Sequence, residues 1–221
     1  MEYGRLNVET TLHTMAQSPI PSATLATPGH SEALFLDRDG VINVDRTFVA
    51  HRSDFEWREG IFSLVATAAR HAVPVVVVTN QSGIGRGYYT EADFARLTDW
   101  MCAEFAARGT PITRVYHCPF HPEATRPELR AAHPWRKPAP GMMLAAAHDL
   151  GLDLARSVLV GDQWSDMLAA ERAGVGTAVL VGEPRPPTPD PAPTVIRFPD
   201  VAAAAEWYAT RMSARPALPT I

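Results

Sequence analysis

The chain has 221 residues, 46% of them apolar, which suits one sizeable core and is short for two full domains. Its net charge of −4 excludes a general electrostatic case for nucleic-acid binding. Only two cysteines, Cys102 and Cys118, exclude a disulfide framework and fit a reducing cytoplasm, and no apolar run reaches the roughly 18–20 residues of a membrane helix.

Residues 1–30 are rich in Thr, Ser, Pro and Ala, show no period, and lack the basic start and apolar centre of a signal peptide. They read as a loosely ordered extension before one domain over 31–212, with 213–221 a frayed tail. Ala33–Leu36 reads as a short strand and Ile61–Arg70 as a helix by its apolar spacing. Val73–Val78 is a β-branched run of strand length, the kind buried on both faces of a parallel sheet. Thr90–Ala107 predicts a long amphipathic helix with Thr90 as N-cap and Asp93 three residues on. Thr113–His117 is a third strand, and Cys118–Lys137 a Pro- and His-rich stretch without period. Pro140–Leu150 is helical with Pro in its first turn. Ser157–Val160 and Thr177–Val181 are strands around a helix at Ser165–Ala173. Gly182–Pro193 is a proline-rich loop, followed by a strand at Val195–Phe198 and a helix at Ala202–Arg211. Alternating strands and helices predict an α/β fold, a Rossmann-like open and mostly parallel sheet flanked by helices.

Such a sheet places its ligand site at the carboxyl ends of its strands. Four polar clusters fall there: Asp37 and Asp39 in "LFLDRDG", Thr79-Asn80-Gln81-Ser82, Arg136-Lys137, and Asp162 with Asp166. One acidic turn would be ordinary, but four clusters on one rim call for a common purpose. Three acids (Asp37, Asp39, Asp162) beside Lys137 suit magnesium-assisted phosphate chemistry, because magnesium takes hard oxygen ligands and offsets the repulsion between the carboxylates. A carboxylate can attack phosphorus, a second acid can protonate the leaving alkoxide and then activate water, and hydroxyl, N–H and ammonium groups can hold the phosphoryl oxygens. Spacing alone does not divide these jobs among the aspartates.

The order of D-x-D-G after an apolar strand, "VVVTN", "RKP" and "GD-x-x-x-D" resembles the haloacid dehalogenase (HAD) superfamily of phosphatases. The longer stretches Phe35–Asp45, Val76–Phe94, Arg136–Met142 and Val160–Ala170 are similar to its branch acting on heptose 1,7-bisphosphates and histidinol phosphate. The resemblance implies Asp37 as nucleophile and Asp39 as general acid/base. It implies magnesium on Asp37, Asp39 (through its carbonyl) and Asp162, with Asp166 in support. Thr79, Asn80 and Lys137 would meet the phosphate, and Gln81, Ser82, Arg86 and Arg136 the sugar or a second phosphate. It further implies an essentially capless, cytoplasmic, monomeric enzyme. That enzyme would take a small phosphosugar, removing the C7 phosphate of a heptose bisphosphate through an aspartyl-phosphate. Histidinol phosphate is the alternative substrate, and a silent sugar-phosphate-binding protein the more distant alternative. The gaps between motifs leave room only for short specificity loops at Asn43–Trp57, Gly83–Tyr89 and Cys118–Trp135.

Two positions depart from the branch. Relatives carry a structural zinc in the third loop through C-x-H and C-x-C, whereas here Phe120 and Trp135 replace two ligands. The expectation is that zinc is lost and the loop is packed by Phe120, Trp135 and prolines; a rearranged site of Cys118, His121 and His133, with His117, is the alternative. Gln163 stands where relatives often carry Lys. Arg38 is left open between contacting substrate and pointing outward. Cys102 reads as a buried structural thiol. Trp57, Trp100 and Trp164 read as packing, although Trp164 is close enough to Asp162 to line the rim.

Overall fold

The computed structural model describes residues 31–183 and 195–214. The expected extension over 1–30, most of the Gly182–Pro193 loop and most of the tail lie outside the described residues. Six strands, β1 (Leu34–Leu36), β2 (Val75–Asn80), β3 (Arg114–Cys118), β4 (Val158–Gly161), β5 (Thr177–Val181) and β6 (Val195–Phe198), form one sheet in the order β3-β2-β1-β4-β5-β6. Every pairing is parallel. The sequence expectation of an open parallel α/β sheet is therefore met, with strand ends displaced by one or two residues.

The strands are short and nearly continuously apolar because both faces are covered. Leu34, Leu36, Val75, Val77, Val158, Val160, Val179 and Val181 enter one core. That core also takes residues of α1 (Ile61–Arg70), α3 (Glu91–Ala107) and α6 (Val201–Ser213). The alternate residues Phe35, Val76, Val78, Leu159, Ala178 and Leu180 enter a second core with α4 (Gly141–Leu150) and α5 (Trp164–Ala173). A helix that the sequence does not announce, α2 (Ser82–Gly85), is a single turn directly after β2. It is too short to carry an apolar period, and two of its four residues are glycine.

The chain winds outward from β1 through β2 to β3, then returns to place β4 on the other side of β1. The direction of winding thus reverses between β1 and β4, and the crevice opens at their carboxyl ends. Two short connections border it. The segment after β1 returns into an aromatic cluster, where Trp57 packs on Phe55, Phe62, Trp100 and Phe105 with ring centroids 4.7–5.6 Å apart. Trp57 and Trp100 are packing residues, as expected. No insertion large enough for a cap separates β1 from β2 or β2 from β3.

Thr90 closes a full capping box: its hydroxyl accepts from the Asp93 amide at 3.2 Å and its own amide donates to Asp93 Oδ2 at 2.8 Å. Thr90→Ala removes the acceptor for the Asp93 amide. Urea denaturation is expected to show a loss of about 1 kcal/mol with an unchanged m-value.

Candidate active site

Parallel pairing of β1 with β4 continues one residue beyond the strands, where the Asp37 amide donates to the Val160 carbonyl at 3.0 Å. This register sets Asp37 beside the Gly161-Asp162 turn. Gly40 closes the gap from the other side. Its φ is +91°, and an added Cβ would lie 2.2 Å from Asp162 Oδ2, so both the turn and the close approach require glycine. Gly161 is similarly constrained, since a Cβ there would meet the Asp166 side chain at 2.4 Å.

The centre of the site is a buried ion cluster. Lys137 Nζ lies 2.9 Å from Asp37 Oδ1 and 2.5 Å from Asp166 Oδ1, and donates to the Val78 carbonyl at 2.9 Å. Lys137 is thus ion-paired to two aspartates and hydrogen-bonded to the β2 backbone, and it acts on a bound anion chiefly by its charge. Burial disfavours the ammonium, but Asp166 and Asp37 outweigh it and hold the lysine above its ordinary range. Asp166 also serves its own helix, since its Oδ2 accepts from the Gln163 amide at 3.0 Å and caps α5. Asn80 fixes the lysine from the β2 side, pairing both ways with the Lys137 backbone at 3.0 and 3.1 Å.

Asp37 and Asp162 are the strained members. Burial raises Asp37 to about 7, offset by Lys137 and reinforced by the charges of Asp166 and Asp39. Burial, then the Asp37 and Asp166 charges, raises Asp162 to about 8. Asp162 Oδ2 accepts from Gln163 Nε2 at 2.8 Å, while Oδ1 is buried with no hydrogen-bond partner among the described residues. Oxygens of Asp37, Asp162 and Asp166 lie within 4.8 Å of one another. An unpartnered buried carboxylate oxygen in a crowd of carboxylates fits a hard divalent cation.

Asp39 is held differently. Arg38 Nη2 donates to both its oxygens at 2.9 and 2.8 Å; Asn43 Nδ2 reaches Oδ1 at 3.0 Å and Gln81 Nε2 reaches Oδ2 at 3.1 Å. Arg38 neither contacts an open rim nor points outward. It is 1% exposed, and Nη2 also donates to the Val49 carbonyl at 2.8 Å. Gln81 is equally buried, with its second N–H contact on Thr79 Oγ1 at 2.9 Å and its Oε1 accepting from Tyr89. Thr79 is left with its hydroxyl proton to donate.

A cavity of about 150 Å3 is lined by Asp37, Asp39, Thr79, Asn80, Lys137 and Asp162, and completed by Asp45, Gln163 and Ser165. Ser82, Arg86 and Arg136 do not line it. Arg86 lies 3.2 Å from His121 Nε2 and 3.4 Å from Glu123, and Arg136 donates to the Phe120 carbonyl at 3.2 Å. Burial lowers Arg136, and the nearby Arg86 charge lowers it further. Asp45 and Ser165 are cavity residues that the strand-end pattern misses; Asp45 ends the "FLDRDGVINVD" stretch, which is the available signal. Trp164 is buried under the Arg197 guanidinium rather than lining the cavity.

The third loop does not gather its Cys and His ligands. His133 stacks on Phe120 with centroids 4.2 Å apart and accepts from the Trp135 amide at 3.1 Å. His121 Nδ1 accepts from the Glu123 amide at 3.0 Å, and His117 Nε2 meets Glu91 at 2.9 Å. Burial pushes the Cys118 thiol up to about 11.

A buried Asp–Lys pair, a second aspartate two residues on and an acid with one unpartnered oxygen across the switch point define a hydrolase of the HAD type. Residues 134–204 match the HAD-hydrolase-like family. The chain is 52% identical over 151 residues to D-glycero-alpha-D-manno-heptose-1,7-bisphosphate 7-phosphatase of Burkholderia mallei, covering 68% of this chain and 80% of that relative. It is 47% identical over 156 residues to the D-glycero-beta-D-manno-heptose-1,7-bisphosphate 7-phosphatase of Vibrio cholerae, covering 71% and 84%. The crystal structure of D,D-heptose 1,7-bisphosphate phosphatase from B. bronchiseptica, complexed with magnesium and phosphate, superposes with a TM-score of 0.68 at 29% identity, covering 81% and 99%. The chain belongs to the heptose-1,7-bisphosphate 7-phosphatase family of HAD-like hydrolases.

Carboxylates raised on folding keep protons that the unfolded chain has released, so metal-free stability contributed by Asp37 and Asp162 falls from about pH 4 towards pH 7–8. In EDTA, the Tm of the wild type is expected to fall more steeply between about pH 5 and 8 than that of Asp162→Asn. Magnesium should raise the wild-type Tm more at the higher pH.

Proposed function

We infer that the chain is a magnesium-dependent phosphatase that removes the C7 phosphate of D-glycero-D-manno-heptose 1,7-bisphosphate. The observation that carries the reading is the Lys137–Asp37 pair at 2.9 Å, facing Asp162 with its unpartnered oxygen and Asp39 in its cradle of donors. Asp37 attacks phosphorus and forms the aspartyl-phosphate. Asp39, carrying a proton in exchange for one of its donor contacts when substrate is bound, gives that proton to the departing C7 oxygen, then takes one from the water that attacks the aspartyl-phosphate and releases inorganic phosphate. Lys137 favours the ionised form of Asp37, and the Thr79 hydroxyl donates to a phosphoryl oxygen. Asp37, Asp162 and the Asp39 carbonyl would hold magnesium, which supplies neutralisation of the phosphoryl charge.

Asn80 and Gln81 serve this chemistry by fixing Lys137, Thr79 and Asp39. Arg86 and Arg136, close enough to feel each other's charge, meet the second phosphate at C1. That pair favours a bisphosphate over histidinol phosphate, whose far end is cationic. Two buried, unpaired cysteines agree with a cytoplasmic enzyme, and a monomer is the expected state.

Magnesium-dependent phosphate release should be compared across both heptose 1,7-bisphosphate anomers, histidinol phosphate and simple sugar monophosphates. A strong preference for one bisphosphate anomer is expected; the two relatives above differ in that anomer, so the assay also assigns it. Even, slow turnover of every ester would remove the heptose assignment. Asp37→Asn should lower kcat at least about a thousandfold, and full turnover by that variant would remove the mechanism. Arg86→Ala and Arg136→Ala should each raise KM for the bisphosphate roughly tenfold, with kcat for a monophosphate little changed.

A further inference from the structure

Gln163 lines the cavity but has no part in the reaction scheme. It is the N-cap of α5 and follows Asp162 directly. Its Nε2 donates to Asp162 Oδ2 at 2.8 Å, and its own amide donates to Asp166 Oδ2 at 3.0 Å. One residue thus holds one oxygen from each of two neighbouring carboxylates. The third acid of the group is also held through a single oxygen. Asp37 Oδ1 accepts from the Arg38 amide at 2.7 Å and pairs with Lys137 at 2.9 Å.

Asp162 Oδ2 is confined by Gly40 as well. A Cβ at that glycine would lie 2.2 Å from Oδ2, so the Gly40 backbone is packed against the carboxylate. Gly40 cannot yield easily. Its amide donates to the Asn43 carbonyl at 2.7 Å, and its carbonyl accepts from Arg58 Nε at 3.1 Å. Oδ2 therefore sits between a braced backbone and an amide donor. Oδ1, by contrast, is buried without a hydrogen-bond partner among the described residues.

The number of oxygens that a carboxylate can give decides which cation it suits. Calcium takes about six to eight oxygen ligands in flexible geometry, often both oxygens of one carboxylate. Magnesium is smaller, needs a near-regular octahedron and keeps several of its waters. We propose that Gln163 sets the cation preference of this site. Its amide occupies Asp162 Oδ2, so Asp162 has one oxygen to give, and magnesium is favoured over calcium. Giving both oxygens would break the bond to Gln163 and press the carboxylate against Gly40. The second contact that is thereby denied is worth more to calcium than to magnesium. Gln163 is thus a positioning residue that acts through Asp162. The proposal rests on the magnesium reading given above and deepens it from which residues hold the cation to which cation they select.

The test is calorimetric titration of magnesium and of calcium into the full chain, stripped of metal with EDTA and dialysed, without substrate. The proteins are the wild type, Gln163→Met, Gln163→Ala and Gln163→Lys. Methionine matches glutamine in length but has no N–H, whereas lysine brings a donor back. The ratio of calcium to magnesium affinity is expected to rise roughly tenfold in Gln163→Met and Gln163→Ala, chiefly through tighter calcium binding. In Gln163→Lys the ratio should stay within about threefold of the wild type, while the added charge weakens both cations. A ratio that does not move in the methionine and alanine variants would overturn the proposal and leave Gln163 as support for the start of α5. A ratio in the lysine variant that moves as far as in the methionine variant would overturn it too, because the donor would then not be the cause. Circular dichroism checks that each variant is folded, and alanine against lysine carries the comparison if the methionine variant is not. If the wild type binds neither cation, the magnesium reading itself falls and the proposal with it. If the wild type binds and the ratios stay fixed, only the proposal falls.

Discussion

The pairing of β1 with β4 forces two carboxylates into one small space, and the rest of the site answers that constraint. Parallel register brings Asp37 and the Gly161-Asp162 turn together because their strands are neighbours at the point where the winding reverses. Left alone, two buried aspartates would relieve their repulsion by taking up a proton. Lys137 opposes that at Asp37. It arrives from far along the chain at the end of the long third loop, and Asn80 on β2 pins its backbone. Its second partner, Asp166, is also the cap of α5. One ammonium thus joins β1, β2, the third loop and α5.

This shared anchoring explains why the outline of the site is legible in the sequence. The acids follow apolar strand runs, so Asp37, Asp39 and Asp162 can be read as strand-end residues from local pattern alone, whereas Lys137 follows the long third loop and is legible through its "RKP" motif. The helices and strands are legible for the same reason: β-branched runs buried on both faces, and the Thr90 and Asp93 capping signal. What local pattern does not carry is which loop returns against which side chain. Asn80 and Gln81 read as phosphate or substrate contacts, yet their side chains tie down Lys137, Thr79 and Asp39. Arg38 has no readable direction, because its partner is the adjacent Asp39 and its anchor is Val49, eleven residues on.

The third loop illustrates a different limit. Substituting Phe120 and Trp135 for metal ligands can be read as loss, but not how the loop stays ordered. The answer is aromatic packing: His133 lies flat on Phe120, and Trp135 meets both His133 and Tyr116 edge-on. His133 serves as a planar surface in this packing, and burial lowers its affinity for a proton.

The contrast between the two aspartates of the D-x-D pair is the last step. They are two residues apart, yet Asp37 is governed by burial and by Lys137 and the Arg38 amide, both on Oδ1, while Asp39 sits in a fork of guanidinium and amide donors. A nucleophile held through one oxygen keeps its orientation while the other oxygen attacks. A group that passes a proton in one half-reaction and takes it back in the next benefits from donors that fix its orientation throughout. The fork is built from Arg38, Asn43 and Gln81, which come from the first loop and the end of β2. Arg38 also grips Val49, within the loop that carries Asp45. The proton-transfer group and the cavity wall at Asp45 are therefore parts of one braced unit, and a small enzyme without a cap can keep them aligned through loops alone.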